Sequence, residues 1–239
     1  MNLQGQPLVL RPATAADLPA IAEVHIRARD ASYPAMPQSP HPPHEARAWV
    51  GGWDLDTYDV WLGEAPGRVA GYARFDREWL DDLYVDPDAQ GTGIGSALLD
   101  LVKAQRPSGF CLWVFESNEP ARGFYRHHGL VELERTDGAG NEEREPDIRM
   151  AWPGQDPLAF YRGLIDEVDA QLGDLLNRRA ALTRAVQHHK GTTERDPVRE
   201  REIARALAGR APLLGEDRAA RIVHAIITES LAAVTSRQI

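Results

Sequence analysis

Two groups of residues in this chain have the types and spacing for chemistry. One is the run Gln90-Gly91-Thr92-Gly93-Ile94-Gly95, which leads into a helical pattern at Ala97, Leu98, Leu101 and Val102. A helix start leaves backbone N–H groups unpaired at the positive end of the helix dipole. Glycines let a phosphate approach those groups with no Cβ in the way. The spacing is G-x-G-x-G, not G-x-G-x-x-G, and Lys-Ser/Thr does not follow at the offsets of a phosphate loop. Taken alone, such a run is also plain turn chemistry.

The other group is cationic. Tyr161, Ile165, Val168, Leu172, Leu175, Arg179, Leu182 and Val186 recur at alternating spacings of four and three, a coiled-coil-like seam. Arg179 is out of place there, because an unpaired cation in a core costs several kcal/mol. Arg162 flanks the same stripe and Lys190 ends it, four residues after Val186. Either Arg179 pairs with an acid on a neighbouring helix, or the three cations hold an anionic ligand between helices.

The elements that must position these groups change class at Trp152-Pro153-Gly154-Gln155-Asp156-Pro157. Before that joint, Leu8-Val9-Leu10 reads as a strand and Thr14 to Asp30 as a helix. The five prolines between Tyr33 and His44 predict an irregular segment. Residues 58–62, 68–75 and 80–85 read as strands, the first two joined at Pro66-Gly67. Phe110 to Phe115 reads as a buried strand and Pro120 to His128 as a helix, with strands near 130–134 and 147–152. After the joint every long segment has helical period. Asp156-Pro157 and Asp196-Pro197 are helix starts, the first opening a helix of about 34 residues, roughly 50 Å long. A last amphipathic helix runs from about Glu216 to Ala233.

Composition agrees with two units. The 239 residues are 43% hydrophobic, residues 1–152 carry a net charge of -10, and residues 153–239 carry +1. An acidic first half disfavours a nucleic-acid backbone and suits cationic substrates, although a solvated surface reads the same way. The single cysteine, Cys111, rules out an intramolecular disulfide and argues for a reducing cytosol. No apolar run reaches about 18 residues and no signal-peptide layout is present, so a cytoplasmic protein without membrane contact is expected. Metal is not expected: His41 and His44 sit among prolines, and His188-His189 lack ligand spacing.

The glycine run matches the Q/R-x-x-G-x-G/A signature of the GNAT acyl-CoA N-acyltransferases. Leu83-Tyr84-Val85-Asp86-Pro87 resembles that family's central strand and its exit. Asn118, Ala121, Phe124-Tyr125 and Gly129 resemble its N-x-x-A-x-x-F-Y-x-x-x-G segment. The resemblance covers roughly residues 8–152. It implies an α+β fold with a mixed central sheet and flanking helices, and acetyl-CoA as cosubstrate. Backbone groups of Leu83 and Val85 would pair with the pantetheine arm, and Asn118 would lie near it. Gln90, Gly91, Gly93, Gly95 and Ser96 would form the pyrophosphate turn. Tyr125 would protonate the departing thiolate, unless it is a core aromatic behind Phe124. A base for the acceptor amine is sought among Glu78, Asp81 and Asp82; strand alternation separates Asp81, Leu83 and Val85 from Asp82 and Tyr84. Trp49, Trp53, Trp61 and Trp79 line an acceptor pocket or pack the core.

R-x-x-I-D-x-x-D at Arg162 to Asp169, Arg179, Lys190, D-x-x-R-E at Asp196 to Glu200, and Ser230 together resemble the all-helical type II chorismate mutases, over about residues 156–234. That resemblance implies a three-helix all-α domain that dimerises through its long first helix. Arg162 would enter the partner's site and Arg179 its own, each on a carboxylate of chorismate. Lys190 would hydrogen-bond the ether oxygen. Asp196 and Glu200 would meet the ring-hydroxyl side, and Arg199 and Ser230 would position a carboxylate. Val234 stands where the family normally has Gln or Glu, a second donor to the ether oxygen.

The expected organisation is an acetyltransferase domain at 1–152, a linker at 153–157 and a mutase-like domain at 158–239. The expected function is bifunctional: acetyl transfer to an unidentified small-molecule amine, and rearrangement of chorismate to prephenate in a homodimer. The alternative is an acetyltransferase with a non-catalytic dimerisation or chorismate-sensing module, or a mutase of 4-amino-4-deoxychorismate.

Overall fold

A computed structural model describes residues 8–65, 67–190 and 195–235; the side chains of Lys190 and Val234 lie outside the described residues. The chain forms two compact units, dividing between Tyr161 and Arg162.

In the first unit, β1 (Val9–Pro12), β2 (Asp59–Ala65), β3 (Arg68–Phe75) and β4 (Leu80–Val85) form an antiparallel sheet in chain order. A second antiparallel sheet has the order β5 (Phe110–Phe115), β7 (Asp147–Trp152), β6 (Val131–Arg135). Among the described residues, the parallel part of the mixed sheet is one isolated bridge, Trp79 to Cys111, with Cys111 N donating to Glu78 O at 2.8 Å. Beyond that bridge β4 and β5 diverge.

Helices cover both faces of the first sheet. On one, Leu18, Ile21 and Val24 of α1 (Leu18–Ala31) pack on Val60, Leu62 and Tyr72. On the other, Ile94, Leu98, Leu99 and Val102 of α3 (Ile94–Gln105) form a stripe of helical period against Ala70, Ala73 and Phe75. Gly71 permits that approach: a Cβ there would lie 2.9 Å from Tyr84 O and 3.0 Å from Ile94 Cγ2. The proline-rich segment is less irregular than expected, because Pro43 begins the helix α2 (Pro43–Gly51). Proline is favoured at a first helical position, where its missing N–H has no partner to lose. A further helix, α4 (Glu119–His127), follows β5.

The second unit is built from α5 (Pro157–Lys190) from Arg162 onward, α6 (Pro197–Arg210) and α7 (Gly215–Thr235). Asp156 Oδ1 accepts from Ala159 N at 3.1 Å, so the first Asp-Pro start is capped. Asp196 Oδ1 accepts from Val198 N and Arg199 N at 3.0 Å each, so the second is capped too. Ala204 of α6 is buried, as are Ala219, Val223 and Ser230 of α7. By contrast, the α5 seam residues Ile165, Val168, Leu175 and Leu182 are 58–61% exposed.

Candidate functional site

Strand β4 is an edge strand, and its pairing fixes which backbone groups are free. Asp86 N donates to Ala70 O on β3 at 2.8 Å. Backbone direction alternates along a strand, so Tyr84 also faces β3 while the N–H and C=O of Val85 and Leu83 point into the wedge opposite. Gln90 Nε2 reaches Val85 O at 3.4 Å, as that free carbonyl allows.

A cavity of about 500 Å³ fills the wedge, lined by Leu83, Val85, the turn from Gln90 to Ser96, Asn118, Phe124 and Tyr125. The turn holds Gly91 at φ 73° and Gly93 at φ 91°, the latter the N-cap of α3. A Cβ added to either would meet nothing within 4 Å, so packing does not require glycine at these positions. These glycines serve conformation, since a side chain is strained at positive φ. Ser96 Oγ bonds His128 Nε2 at 3.0 Å. Asn118 Oδ1 accepts from Ala121 N at 3.2 Å and so caps the helix that carries Tyr125.

A second cavity, about 580 Å³, shares Leu83, Tyr84, Asn118 and Tyr125 with the first, so Tyr125 faces both. Burial pushes the Tyr125 phenol well above its ordinary pKa, with the charges of Tyr84 and Asp82 adding to the rise. In the same cavity burial lifts the Asp81 carboxyl to about 6, against the pull of Arg74 and with help from Asp82 and Asp76. Asp82 is tied to Arg74 Nε at 2.6 Å, and Arg74 lies under the rings of Trp49, Trp53 and Tyr58. Trp49 and Trp53 thus hold a cation instead of facing this cavity, Trp61 packs against the core, and Trp79 stacks on Trp113. Glu78 is not on either cavity wall.

Sequence reasoning missed several groups here. Trp113, Arg29, Glu143 and Asp147 line the second cavity, and Arg29 Nη2 pairs with Glu143 at 2.7 Å. Glu143 arrives on the loop between β6 and β7, and no local pattern marks it.

In the helical unit a cavity of about 300 Å³ is lined by Arg179, Gln187, Arg195, Asp196, Arg199 and Glu200, among others. Arg179 Nη1 donates to Ser230 Oγ at 2.7 Å, and that serine donates to Ile226 O at 2.6 Å. Arg195, which was not foreseen, holds Glu200 in a fork, Nε to Oε1 at 2.6 Å and Nη2 to Oε2 at 2.7 Å. Hydrogen bonding to Arg195 lowers the Glu200 pKa. Its only sequence signal was a basic residue beside Asp196. Arg199 pairs with Glu202 at 3.0 Å. Arg162 is exposed and stands 17 positions before Arg179, roughly 25 Å along one helix, so a single chain does not bring the two together. Among the described residues no group of three or more His, Cys, Asp or Glu could hold a metal ion, and no helix is long and apolar enough to cross a membrane.

The wedge and its helix-capped turn belong to an α+β acyl-CoA N-acyltransferase fold, and the three helices to a chorismate mutase fold. Comparison with known proteins agrees on both. The acetyltransferase (GNAT) domain family matches residues 56–132 and the chorismate mutase type II family matches residues 161–234, so the chain carries one domain of each. Rv2775 of Mycobacterium tuberculosis, named as a probable N-acetyltransferase, is 37% identical over 83 residues, 31% of this chain and 45% of that protein. The chain thus spans less than half the length of that relative. The peptidyl-lysine N-acetyltransferase YiaC of Escherichia coli is 28% identical over 153 residues, 61% of this chain and 97% of YiaC. The solution structure of Escherichia coli YjaB shares the fold, with a TM-score of 0.53 at 22% identity over 62% of this chain and 99% of that one.

Proposed function

We propose that the chain is a bifunctional enzyme. It transfers the acetyl group of acetyl-CoA to a small-molecule amine and rearranges chorismate to prephenate, with the domains divided at 153–157. The observation that carries the first activity is the placement of Tyr125 between a phosphate-ready cavity and an acidic one. The free edge at Leu83 and Val85 suits the pantetheine amides, the open turn from Gln90 to Ser96 the pyrophosphate. Acetyl-CoA supplies an activated thioester carbonyl.

Asp81 accepts a proton from the acceptor ammonium, and the neutral nitrogen forms the new bond to the carbonyl carbon. The carbon–sulfur bond breaks, Tyr125 gives its proton to the sulfur, and the surplus proton on the new amide nitrogen returns to the Tyr125 phenolate. Its raised pKa keeps that proton in place until a thiolate develops. The acidic lining from Asp81, Glu143 and Asp147 suits a cationic acceptor. YiaC and YjaB are named for peptidyl-lysine, which makes a lysine side chain one acceptor to include beside free amines.

The Claisen rearrangement needs no base or nucleophile; the site selects the compact conformer and stabilises charge on the ether oxygen. Arg179, held by Ser230, and Arg199 suit the carboxylates, with Lys190 as donor to the ether oxygen. The exposed α5 seam fits a second copy of the chain, whose Arg162 would complete the site. Thiol release is measured across an amine library, with chorismate consumption followed in parallel. Tyr125→Phe is expected to lower thiol release roughly 100-fold with acetyl-CoA affinity kept. Thiol release without chorismate loss leaves the helical domain as a dimerisation or chorismate-sensing module, the reading that Val234 favours.

A further inference from the structure

The helical cavity has abundant donors and few free acceptors. Arg179, Arg195 and Arg199 on its wall suit the carboxylates of an anionic ligand. Chorismate also carries a ring hydroxyl, which needs an oxygen to receive its proton. The carboxylate and side-chain amide oxygens on this wall belong to Asp196, Glu200 and Gln187. Asp196 Oδ1 is taken by the two amides it caps, at 3.0 Å each. Each Glu200 oxygen already accepts one bond from the Arg195 fork, at 2.6 and 2.7 Å, which fixes the carboxylate against that cation. Gln187 differs: its Oε1 is buried and has no hydrogen-bond partner among the described residues. A buried carbonyl without a partner is destabilising, and each such group in a folded protein calls for a reason. A wall position in a ligand cavity supplies one: a turn of the side-chain amide brings the oxygen to the cavity, where a bound donor satisfies it.

We propose that Gln187 receives the ring hydroxyl of chorismate through Oε1 and sets the preference for a hydroxyl at that ring position. The proposal rests on the chorismate reading of the helical domain. It shifts the hydroxyl contact from Glu200 to Gln187, which stands on α5 eight residues after Arg179. Glu200, locked by Arg195, then acts as a positioning counter-charge.

The test uses the full chain, its Gln187→Leu and Gln187→Glu variants, and two probes, chorismate and 4-amino-4-deoxychorismate. Affinity is read by calorimetry, or as KM where turnover intervenes, and folding by thermal denaturation. Gln187→Leu is expected to weaken chorismate about 3- to 10-fold, the worth of one hydrogen bond. Its melting temperature should hold or rise, since an unsatisfied buried carbonyl is removed. Gln187→Glu should swing the affinity ratio at least tenfold, on the order of one charge-assisted hydrogen bond, towards the amino compound, whose ammonium prefers a carboxylate. Unchanged chorismate affinity in Gln187→Leu, or equal shifts for both probes in Gln187→Glu, overturns the assignment. A parent protein that binds neither probe overturns the chorismate reading itself, a distinct result.

Discussion

Tyr125, which faces both cavities of the first unit, is 9% exposed, whereas Ile165 and Leu175 on the long helix of the second are 58% and 60% exposed. Under the proposed function, the difference follows from the chemistry assigned to each unit. Acetyl transfer moves protons, so its groups need pKa values away from their ordinary ones, and burial between two sheets supplies the shift. Rearranging a dicarboxylate moves no proton to the protein, so fixed cations on hydrogen-bonded helices suffice. The first unit closes its site within one chain. The second leaves an apolar seam exposed and Arg162 far along the helix from Arg179.

If the two sites are separate, the largest effects should be fully dissociable. Gly93→Asp places a Cβ at φ 91° and a negative charge before the phosphate turn. Acetyl-CoA affinity should fall more than 100-fold, on the order of the strain of a forced left-handed residue plus charge repulsion. Chorismate consumption should be untouched. Arg179→Ala should do the converse, lowering chorismate turnover roughly 10²–10³-fold while thiol release persists. Loss of both activities in either variant would mean that the two units are coupled.

The claim that burial tunes the first site is sharpened by pH. Asp81 must be ionised to accept a proton, and its pKa is raised to about 6. The kcat/KM for acetyl transfer should therefore fall as pH drops through about 6 and level off above it, apart from the acceptor's own ionisation. Asp81→Asn should lose roughly 100-fold or more and flatten that limb, since a positioned base is worth about 10²–10⁴-fold. A limb that persists in Asp81→Asn moves the base elsewhere.

Much of this was legible in the sequence, because it depended on local patterns. The strands at 68–75 and 80–85 are marked by short β-rich runs and turn residues, and the glycine run by its own spacing. The Asp-Pro helix starts at 156 and 196 needed only an acceptor and a proline. What escaped depends on chain return. Glu143 and Asp147 reach the acidic cavity from the far end of the β6–β7 hairpin, and Arg29 from α1. The free edge of β4 could be read as a strand but not as an edge, since edges are set by which strands pair. Helix α2 was hidden by the prolines before it, although proline at a helix start is ordinary. Gln187 looked like one more polar residue on a long helix until a cavity appeared beside it.

The proposed pairing of two helical units is tested at the seam. Leu175→Asp puts a charge among the exposed apolar side chains of α5 and should shift the protein from dimer to monomer in sedimentation. Chorismate turnover should fall with dissociation, since Arg162 would no longer reach a neighbour's site. Thiol release should change less than twofold, a shift on the order of a remote surface substitution. A variant that stays dimeric, or a parent that is monomeric, removes the seam from the account.

The smallest effect is expected at Asp196, where cap and ligand contact can be told apart. Its Oδ1 accepts two backbone N–H groups of α6 at 3.0 Å. Removing such a cap costs typically about 1 kcal/mol, so Asp196→Ala should lower the melting temperature of the helical unit by a few degrees. Asp196→Asn keeps an oxygen in the same place without its charge and should change stability by only a few tenths of a kcal/mol. If the cap is the residue's main work, Asp196→Asn should also keep chorismate affinity within about twofold, as a loss of less than one hydrogen bond allows. A tenfold weakening in Asp196→Asn with stability intact would show that the carboxylate meets the ligand, and would return the ring-hydroxyl contact to the acids of α6.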